Sequence, residues 1–336
     1  MIRVVDGHND YLLRIAAERR GLRDPGDRVH IDLAQAAGSG FAGGFFACFV
    51  PGGPVADPTT EHYALPLAPP LDPADAKLST EELAGILLEL ERDGSLRIAR
   101  SVDDFTGEGI TAILHFEGAE AIDVDLANLE SWYERGLRSI GLVWSRPNAF
   151  AEGVPFAFPG HPDTGPGLTA AGRKLVTACN ELGILVDLSH LNERGFFDVA
   201  RLSAAPLVAS HSNAHALCAV TRNLTDEQLD AIRDSGGIVG VNFAVTFLRE
   251  DGRLDTDTPL ETVVRHFDHL VERMGIDHVG FGSDFDGAVI PAAIGDVTGL
   301  PRVLDALRDA GYREPDLRKL ARENWLRVLR ATWRGA

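Results

Sequence analysis

Short, almost continuously apolar runs recur along the chain, and segments with helical spacing separate them. Runs of this kind are typical of parallel strands that are covered on both faces. We expect eight strands, near Ile2–Asp6, Phe41–Val50, Thr111–Phe116, Leu137–Trp144, Leu185–Ser189, Leu207–Ser210, Ile238–Asn242 and Val279–Gly282. Eight strand and helix repeats in 336 residues predict a TIM-type (β/α)8 barrel, an α/β fold that forms one domain over residues 1–336.

Capping residues predict where several of the helices begin and end. Ser79 precedes Thr80-Glu81-Glu82, so a capping box is expected before the apolar segment Leu83–Leu90. Two further helices combine a capping residue at the start with glycine at the end, namely Thr169 to Gly183 and Thr225 to Gly236-Gly237. A doubly wound open sheet is the alternative, but no glycine-rich dinucleotide fingerprint follows the first strand.

Two long loops rich in proline and glycine follow predicted strands, at Pro51–Ala76 and Ser145–Gly167. In a barrel, loops that follow strands lie at the C-terminal mouth, where active sites are built. Loops of this length either cover such a site or serve as packing and oligomer contacts. The sequence leaves both interpretations open.

The composition narrows the choice of partners. The formal net charge is −18 and no cluster of Lys and Arg opposes it, so nucleic acid and anionic membranes are poor partners. Cys48, Cys179 and Cys218 are too widely spaced for a disulfide framework, and we expect reduced thiols. Because the sequence shows neither a signal-peptide pattern nor an apolar run of membrane-spanning length, we expect a cytoplasmic location.

Side chains that can bind metal ions stand at the ends of five predicted strands. They are His8 and Asp10, Glu117, His190, His211 and Asp284, after the first, third, fifth, sixth and eighth strands. The carboxyl ends of barrel strands share one rim, so these side chains are expected to converge. Each has a structural explanation when taken alone, such as a hydrogen-bonded histidine or a capping carboxylate. Their shared position favours a metal site, and imidazole with carboxylate suits zinc and similar cations.

The number of ligands indicates two metal ions rather than one. Three histidines and one carboxylate would complete one zinc site and leave other carboxylates without a role. Two ions about 3.5–4 Å apart need a bridging ligand and a shared water. Glu117 is the candidate for the bridge, and Asp284 would then act as general base and later as acid.

The motifs that carry these residues resemble the membrane (renal) dipeptidase family, peptidase family M19 of the amidohydrolase superfamily. The matching stretches are Val5–Asp10, Glu117-Gly118, Gly167–Gly183, Val186–His190, Ser210–Ser212, Arg222-Asn223, Phe281–Gly287 and Glu323–Val328. They occur in the family's order from about residue 4 to 329. The resemblance implies a (β/α)8 fold with two divalent metal ions, most often Zn²⁺, although manganese or cobalt suits such a site as well.

The resemblance also implies a division of the ligands. His8 and Asp10 would bind one zinc ion, His190 and His211 would bind the other, and Glu117 would bridge them.

Two further roles follow from the resemblance. Asp284 would be the catalytic carboxylate, with Asp286 as the rival on the same strand face. Arg222 matches the arginine that holds the substrate's terminal carboxylate, which a guanidinium can do with two hydrogen bonds. Without the resemblance, Arg222 would be interpreted as a surface residue beside a helix.

One position departs from the family's pattern. Trp144 stands where a histidine that contacts the scissile group is expected, and an indole offers one N–H donor but takes no charge. Trp144 is therefore a candidate substrate contact, and oxyanion stabilisation would fall on a metal ion or on a donor such as His161. His115 is predicted to be a hydrogen-bond partner of the ligands, and Asp187 is predicted to be structural.

The implied function is a zinc-dependent dipeptidase in which a metal-bridging hydroxide attacks the scissile carbonyl. Tolerance of a D residue at the C-terminal position makes L-Xaa-D-Xaa dipeptides plausible substrates, and a homodimer is common among relatives. One alternative is an amidohydrolase for N-acyl-D-amino acids or cyclic amides. Many of these carry a carboxylated lysine on the fourth strand, which Leu137–Trp144 lacks. The other alternative, supported only by Trp144, is a metal-binding homologue without catalysis.

Overall fold

Eight parallel strands close into a barrel in the computed structural model, which describes residues 1–22, 29–52 and 62–334. The strands in chain order are β1 (Val4–Asn9), β2 (Phe41–Phe49), β3 (Tyr63–Ala64), β4 (Arg97–Ile98), β5 (Thr111–Glu117), β6 (Leu137–Gly141), β7 (Ala157–Phe158), β8 (Leu185–Asp187), β9 (Val208–Ala209), β10 (Ile238–Val241) and β11 (Val279–Phe281). The barrel consists of β1, β2, β5, β6, β8, β9, β10 and β11. Pairing of β2 with both β1 and β5 closes the ring, so the predicted (β/α)8 barrel is confirmed and the open sheet is excluded.

Helices surround the barrel between successive strands. They are α1 (Tyr11–Arg19), α2 (Leu33–Gly38), α3 (Pro73–Arg92), α4 (Leu129–Glu134), α5 (Ala170–Leu182), α6 (Glu193–Leu202), α7 (Asp226–Asp234), α8 (Val245–Leu248), α9 (Leu260–Met274), α10 (Leu300–Asp309), α11 (Glu314–Arg318) and α12 (Asn324–Thr332). Within the described ranges, none of these helices combines the length and apolar character that crossing a bilayer requires.

Two hydrophobic layers hold the barrel together. The larger layer packs the outer faces of the strands against the helices. A smaller cluster joins side chains from six barrel strands to the indole of Trp325; its strand members include Val5, Phe45 and Ile113. Trp325 Nε1 donates a hydrogen bond to the carbonyl of Phe281 (3.0 Å), so the indole N–H is satisfied although the side chain is fully buried.

The predicted start of one helix is wrong. Helix α3 begins at Pro73, because the side chain of Asp72 accepts hydrogen bonds from the next free backbone N–H groups and proline favours the first helical position. Ser79 therefore lies inside α3 rather than at its start. The starts at Thr169 and Thr225 and the glycine end at Gly183, which has a φ of +77°, are confirmed.

The two long loops meet at the mouth of the barrel. Of Pro51–Ala76, residues 53–61 lie outside the described residues and the last four belong to α3. The described remainder contributes β3, which pairs antiparallel with β7 of the Ser145–Gly167 loop. Strand β6 ends at Gly141, so Trp144 lies after the strand, directly before this second loop, and not in the strand as predicted.

The close packing around Gly7 in β1 allows a prediction about stability. A methyl group added at Gly7 would lie 2.1 Å from the carbonyl oxygen of Ser210 and 2.7 Å from the ring of Trp325. We expect Gly7→Ala to lower the free energy of unfolding by about 2–3 kcal/mol, as overpacking of a core does. Urea unfolding measures this change.

Gly85→Ala is the matched control. Gly85 lies within α3, and an added methyl group meets no atom within 4 Å. This variant should raise the free energy of unfolding by about 0.5–1 kcal/mol, because alanine lowers the entropy of the unfolded chain. A Gly7→Ala protein as stable as the parent would contradict the packing described for β1.

Candidate metal centre

The predicted metal-binding side chains lie together at the C-terminal mouth of the barrel. His8 and Glu117 belong to β1 and β5, and the others follow β1, β8, β9 and β11 within three residues: Asp10, His190, His211 and Asp284. All six are buried. Parallel strands of one barrel therefore bring together residues that lie up to 276 positions apart in the sequence.

Glu117 is at the centre of the cluster. Its Oε2 lies 3.6 Å from His8 Nε2, whereas its Oε1 lies 3.0 Å from His190 Nε2 and 3.5 Å from His211 Nε2. Asp10 Oδ2 is 3.4 Å from His8 Nε2. One carboxylate oxygen of Glu117 thus faces each half of the cluster, which is the arrangement that a bridging ligand requires.

Several of these atoms lack the partners that buried polar groups normally have. Both ring nitrogens of His8 and Oδ1 of Asp10 are buried without a hydrogen bond. Ligand atoms of His8, Glu117 and His211 lie within 4.8 Å of one another, as do those of His8, Asp10 and Asp284. Nitrogen and carboxylate oxygen donors at this spacing fit divalent cations of the zinc type.

Hydrogen bonds fix the orientation of two of the histidines. Ser210 Oγ donates to Asp187 Oδ2 (2.5 Å) and lies 2.7 Å from His211 Nδ1, so it accepts the proton on that nitrogen. His211 Nε2 then carries a lone pair, and it lies 3.5 Å from Glu117 Oε1 and 3.2 Å from His190 Nε2. Ser145 Oγ lies 3.0 Å from His190 Nδ1 and supports the second ring.

The charges of the cluster favour a cation. Burial opposes a proton on His8, but the carboxylates of Glu117, Asp10 and Asp284 outweigh this and raise its pKa to about 10. Burial raises the pKa of Glu117 to about 8. Both pKa values are raised, so the cluster favours added positive charge, which a divalent ion supplies more strongly than a proton.

Other buried groups support the cluster from behind. The ring of His115 stands edge-on to that of His8, with 5.5 Å between the centroids, and its Nδ1 pairs with Ser139 Oγ at 2.9 Å. Burial lowers the pKa of His115 to about 3, so the ring is neutral. Both oxygens of Asp6 accept hydrogen bonds from Ser283, each at 2.7 Å, and these tie the end of β11 to β1.

Asp284 is held in an unusual backbone conformation. Its φ is +61°, and His190 and Asp286 have φ values of +68° and +64°. Non-glycine residues in this region carry strain and cluster at functional sites. Asn242 Nδ2 donates to Asp284 Oδ2 (2.9 Å), and burial raises the pKa of this carboxyl although the nearby charge of His8 lowers it.

The carboxylate of Asp286 is occupied elsewhere. Oδ1 accepts from the backbone N–H of His30 (2.8 Å), and Oδ2 accepts from Ile31 N (3.2 Å) and Arg14 Nε (3.3 Å). Asp286 therefore anchors the segment before α2. Asp284 lies with His8 and Asp10, and Asp286 does not belong to either ligand group found among the described residues.

A cavity of about 490 Å³ opens onto the cluster. Trp144 lies in its wall, with its ring centroid 5.8 Å from that of His190. Arg222 is buried and is not among the described residues that line the cavity, but its guanidinium carbon lies 5.8 Å from the ring centroid of Phe247, which does line it. Nη1 donates to Ser212 Oγ (2.8 Å), Nη2 donates to the carbonyl of His211 (2.9 Å), and Nε has no partner.

The structure does not bring His161 to this cavity. His161 is exposed, its ring centroid lies 5.6 Å from that of His215, and it is not among the described residues that line the cavity. Of the two predicted sources of oxyanion stabilisation, a metal ion or a donor such as His161, the structure therefore argues against His161, because the loop places it on the outer surface.

Three functional residues were missed in the sequence. Ser145, Ser210 and Asn242 hold the two histidines and Asp284 in place. Asn242 is the last residue of the predicted seventh strand. Because strand ends form the mouth of the barrel, this position could have identified it as a site residue. The serines stand next to Trp144 and His211, but nothing in the sequence distinguishes them from other serines.

The family model for membrane dipeptidases, peptidase family M19, matches residues 1–334. The chain belongs to this family. The predicted resemblance is thereby confirmed, and the M19 chain is a metallodipeptidase, an enzyme that hydrolyses the peptide bond of dipeptides. Membership also implies a divalent metal, in keeping with the ligand groups described above.

Solved structures agree with this assignment. A metallo peptidase from Rhodobacter sphaeroides, liganded with a phosphinate mimic of the dipeptide L-Ala-D-Ala, is 51% identical to the M19 chain with a TM-score of 0.92, and the match covers 99% of both chains. The dipeptidase AC, also of family M19, is 52% identical with a TM-score of 0.92, over 100% of this chain and 99% of that chain. An uncharacterized protein in the pqqA 5' region of Klebsiella pneumoniae is 52% identical over 244 residues, which cover 71% of this chain and 90% of that protein.

The hydrogen-bond chain from Asp187 through Ser210 to His211 predicts a change in metal affinity. Ser210→Ala removes the acceptor that fixes the proton on His211 Nδ1. We expect metal affinity to fall by about tenfold or more, since outer hydrogen-bond partners of metal ligands typically have effects of this size. Competition with a chromogenic chelator measures the affinity. Ser39→Ala, which removes a buried hydroxyl bonded to the carbonyl of Ala36, is the control and should leave affinity unchanged; equal affinities in the two variants would contradict the orienting role.

Proposed function

We propose that this chain is a zinc-dependent dipeptidase that accepts L-Xaa-D-Xaa dipeptides. The observation that carries the proposal is the position of Glu117, whose two oxygens face separate sets of histidine nitrogens. The phosphinate mimic of L-Ala-D-Ala held by the relative from Rhodobacter sphaeroides supports the substrate class. We also propose that residues 1–336 form one hydrolase domain that acts in the cytoplasm, with a homodimer as the expected assembly.

Five residues would hold the metal ions. His8 and Asp10 would bind one ion, His190 and His211 the other, and Glu117 would bridge the two. When bound, the ions polarise the scissile carbonyl and lower the pKa of a water, so that a nucleophile is available near neutral pH. Zinc suits this mixture of imidazole and carboxylate, and the same donors accept manganese or cobalt.

Asp284 moves the proton. Its ligand atom lies within 4.8 Å of those of His8 and Asp10, and Asn242 fixes its orientation. As general base Asp284 takes the proton from the attacking water, and as general acid it passes that proton to the leaving amine. Burial raises its pKa, which makes the carboxyl a better base than an exposed aspartate.

Arg222 anchors the substrate. Burial lowers its pKa to about 10, so the guanidinium remains charged near neutral pH. Hydrogen bonds to Ser212 and to the carbonyl of His211 fix its position beside a metal ligand, and its Nε–H is free for the terminal carboxylate of a dipeptide. Trp144 contributes a wall of the cavity beside His190.

The role of Asp284 predicts a large loss of rate. In metal-loaded Asp284→Asn, kcat for L-Ala-D-Ala should fall about 100- to 10,000-fold, because the amide neither accepts nor delivers the proton. Metal content, measured by mass spectrometry of the intact protein, should stay close to that of the parent. A kcat within threefold of the parent would remove the assigned role.

Asp286→Asn is the comparison for this experiment. The Asp286 carboxylate holds the backbone at His30 and Ile31, so its replacement should lower the melting temperature and reduce kcat at least tenfold less than Asp284→Asn does. Turnover of N-acyl-D-amino acids without turnover of any dipeptide would point instead to another amidohydrolase activity.

The role of Arg222 predicts a loss of selectivity for a free C-terminus. The parent should hydrolyse L-Ala-D-Ala with a kcat/KM at least about tenfold above that for the dipeptide amide, since a hydrogen bond to a charged group is involved. In Arg222→Met this ratio should fall towards one, chiefly through a higher KM for the free acid. An unchanged ratio would exclude Arg222 as the anchor.

A further inference from the structure

Four aromatic side chains form a continuous surface along one side of the cavity. The ring centroids of Phe49 and Trp144 are 5.1 Å apart, those of Trp144 and Phe156 are 5.5 Å apart, and those of Phe156 and Phe247 are 6.1 Å apart with the planes nearly parallel. All four side chains line the cavity. We call these four residues the aromatic wall.

A buried arginine holds one end of the aromatic wall. The guanidinium carbon of Arg146 lies 4.9 Å from the centroid of the Trp144 ring and 5.6 Å from that of Phe49. Its Nη2 donates to the carbonyl of Val50 (2.9 Å), while Nε and Nη1 are buried without a hydrogen bond. The guanidinium thus contacts both rings, and the nearby charge of Glu120 favours its charged form. The cation–π contact helps to hold the indole of Trp144 in the wall.

The other end of the aromatic wall lies at the proposed anchor. The guanidinium carbon of Arg222 is 5.8 Å from the centroid of the Phe247 ring. The metal-binding cluster lies beside the middle of the wall, since the ring of His190 is 5.8 Å from that of Trp144 and 6.3 Å from that of Phe156. The wall thus runs from the anchor, past the cluster, to the end that Arg146 supports.

This geometry sets the direction in which a dipeptide lies. With its terminal carboxylate at Arg222 and its scissile carbonyl at the cluster, the N-terminal residue extends towards Trp144 and Phe49. We infer that the aromatic wall selects dipeptides whose N-terminal side chain is apolar, and that Trp144 is the residue that determines this specificity. The inference rests on the proposed function, because it takes the carboxylate anchor and the site of cleavage from it.

The charges around the cavity support the same selection. Among the described residues that line it, none is a lysine or an arginine; Arg146 and Arg222 contact rings of the wall but do not themselves line the cavity. The carboxylates that line the cavity are those of the metal-binding cluster and that of Asp286, which accepts hydrogen bonds from the backbone and from Arg14. An acidic N-terminal side chain would lose its water without gaining a counter-charge, whereas an apolar one gains buried contact area against the wall.

The test begins with the metal-loaded parent and four substrates, L-Phe-D-Ala, L-Leu-D-Ala, L-Ala-D-Ala and L-Glu-D-Ala. We expect kcat/KM for the Phe and Leu substrates to exceed that for the Ala substrate by about tenfold, given the apolar area involved. The Glu substrate should fall at least about tenfold below the Ala substrate. Calorimetric titration with the corresponding phosphinate mimics should give the same order of Kd values.

Variants of the wall then locate the specificity. In Trp144→Ala the ratio of kcat/KM between the Phe and Ala substrates should fall about tenfold through KM, and Trp144→Phe, which keeps a ring, should retain most of the ratio. Phe247→Ala is the matched control at the anchor end. It should change the preference at the C-terminal residue, measured with L-Ala-D-Phe against L-Ala-D-Ala, and leave the N-terminal ratio unchanged.

Two results would overturn the inference. One is equal kcat/KM for the Phe, Ala and Glu substrates in the parent, a measurement that does not depend on the folding of any variant. The other is an unchanged Phe to Ala ratio in a folded Trp144→Ala or Trp144→Leu protein. Turnover of no dipeptide at all is a different outcome, because it would overturn the proposed function together with the inference.

Discussion

The opposed placement of the two oxygens of Glu117 is the constraint on which the rest of the site depends. A carboxylate buried to this degree is costly unless positive charge surrounds it. Of the three imidazoles that face Glu117, burial keeps those of His190 and His211 from protonation. Burial lowers the pKa of His190 and His211 well below the usual range, so their Nε2 atoms are available as donors. Burying these carboxylates and neutral imidazoles together is unfavourable without cations. Cation binding relieves this cost and is therefore strong.

Such a cluster needs a frame that resists rearrangement. The strained backbones of His190 and Asp284 persist because the surrounding barrel fixes both ends of each loop. Asp6 ties the end of β11 to β1 through Ser283, and the indole of Trp325 binds the carbonyl of Phe281. Strain at the mouth is therefore balanced by hydrogen bonds and packing deeper in the barrel.

The sequence predicted the barrel and the metal ligands for one physical reason. Apolar runs identify parallel strands, and their carboxyl ends share a rim, so His8 and His211 are neighbours regardless of their separation along the chain. Local sequence signals were less reliable where two candidate helix starts lay close together. Ser79 has the sequence of a helix start, but Asp72 with Pro73 lies about two turns earlier and determines the start of α3.

Features that depend on loops could not be predicted in this way. Asp284 and Asp286 both follow β11 and share the same backbone region and the same chemistry. They differ in their partners, because the segment at His30 and Ile31 returns to bind Asp286, whereas Asn242 binds Asp284. The aromatic wall has no periodic signal either, because its members come from β2, from the segment between β6 and β7, and from α8.

The tryptophan at position 144 changes how the cavity obtains binding energy. Histidine at this position would offer a polar contact to the scissile group, whereas the indole of Trp144 offers area against an apolar side chain and one N–H donor. Because Arg222 is bonded to the carbonyl of His211, the distance from the anchor to the cluster is fixed, and it is the same for every dipeptide. Discrimination among dipeptides must then arise beyond the cluster, at the end of the cavity where Arg146 holds Trp144.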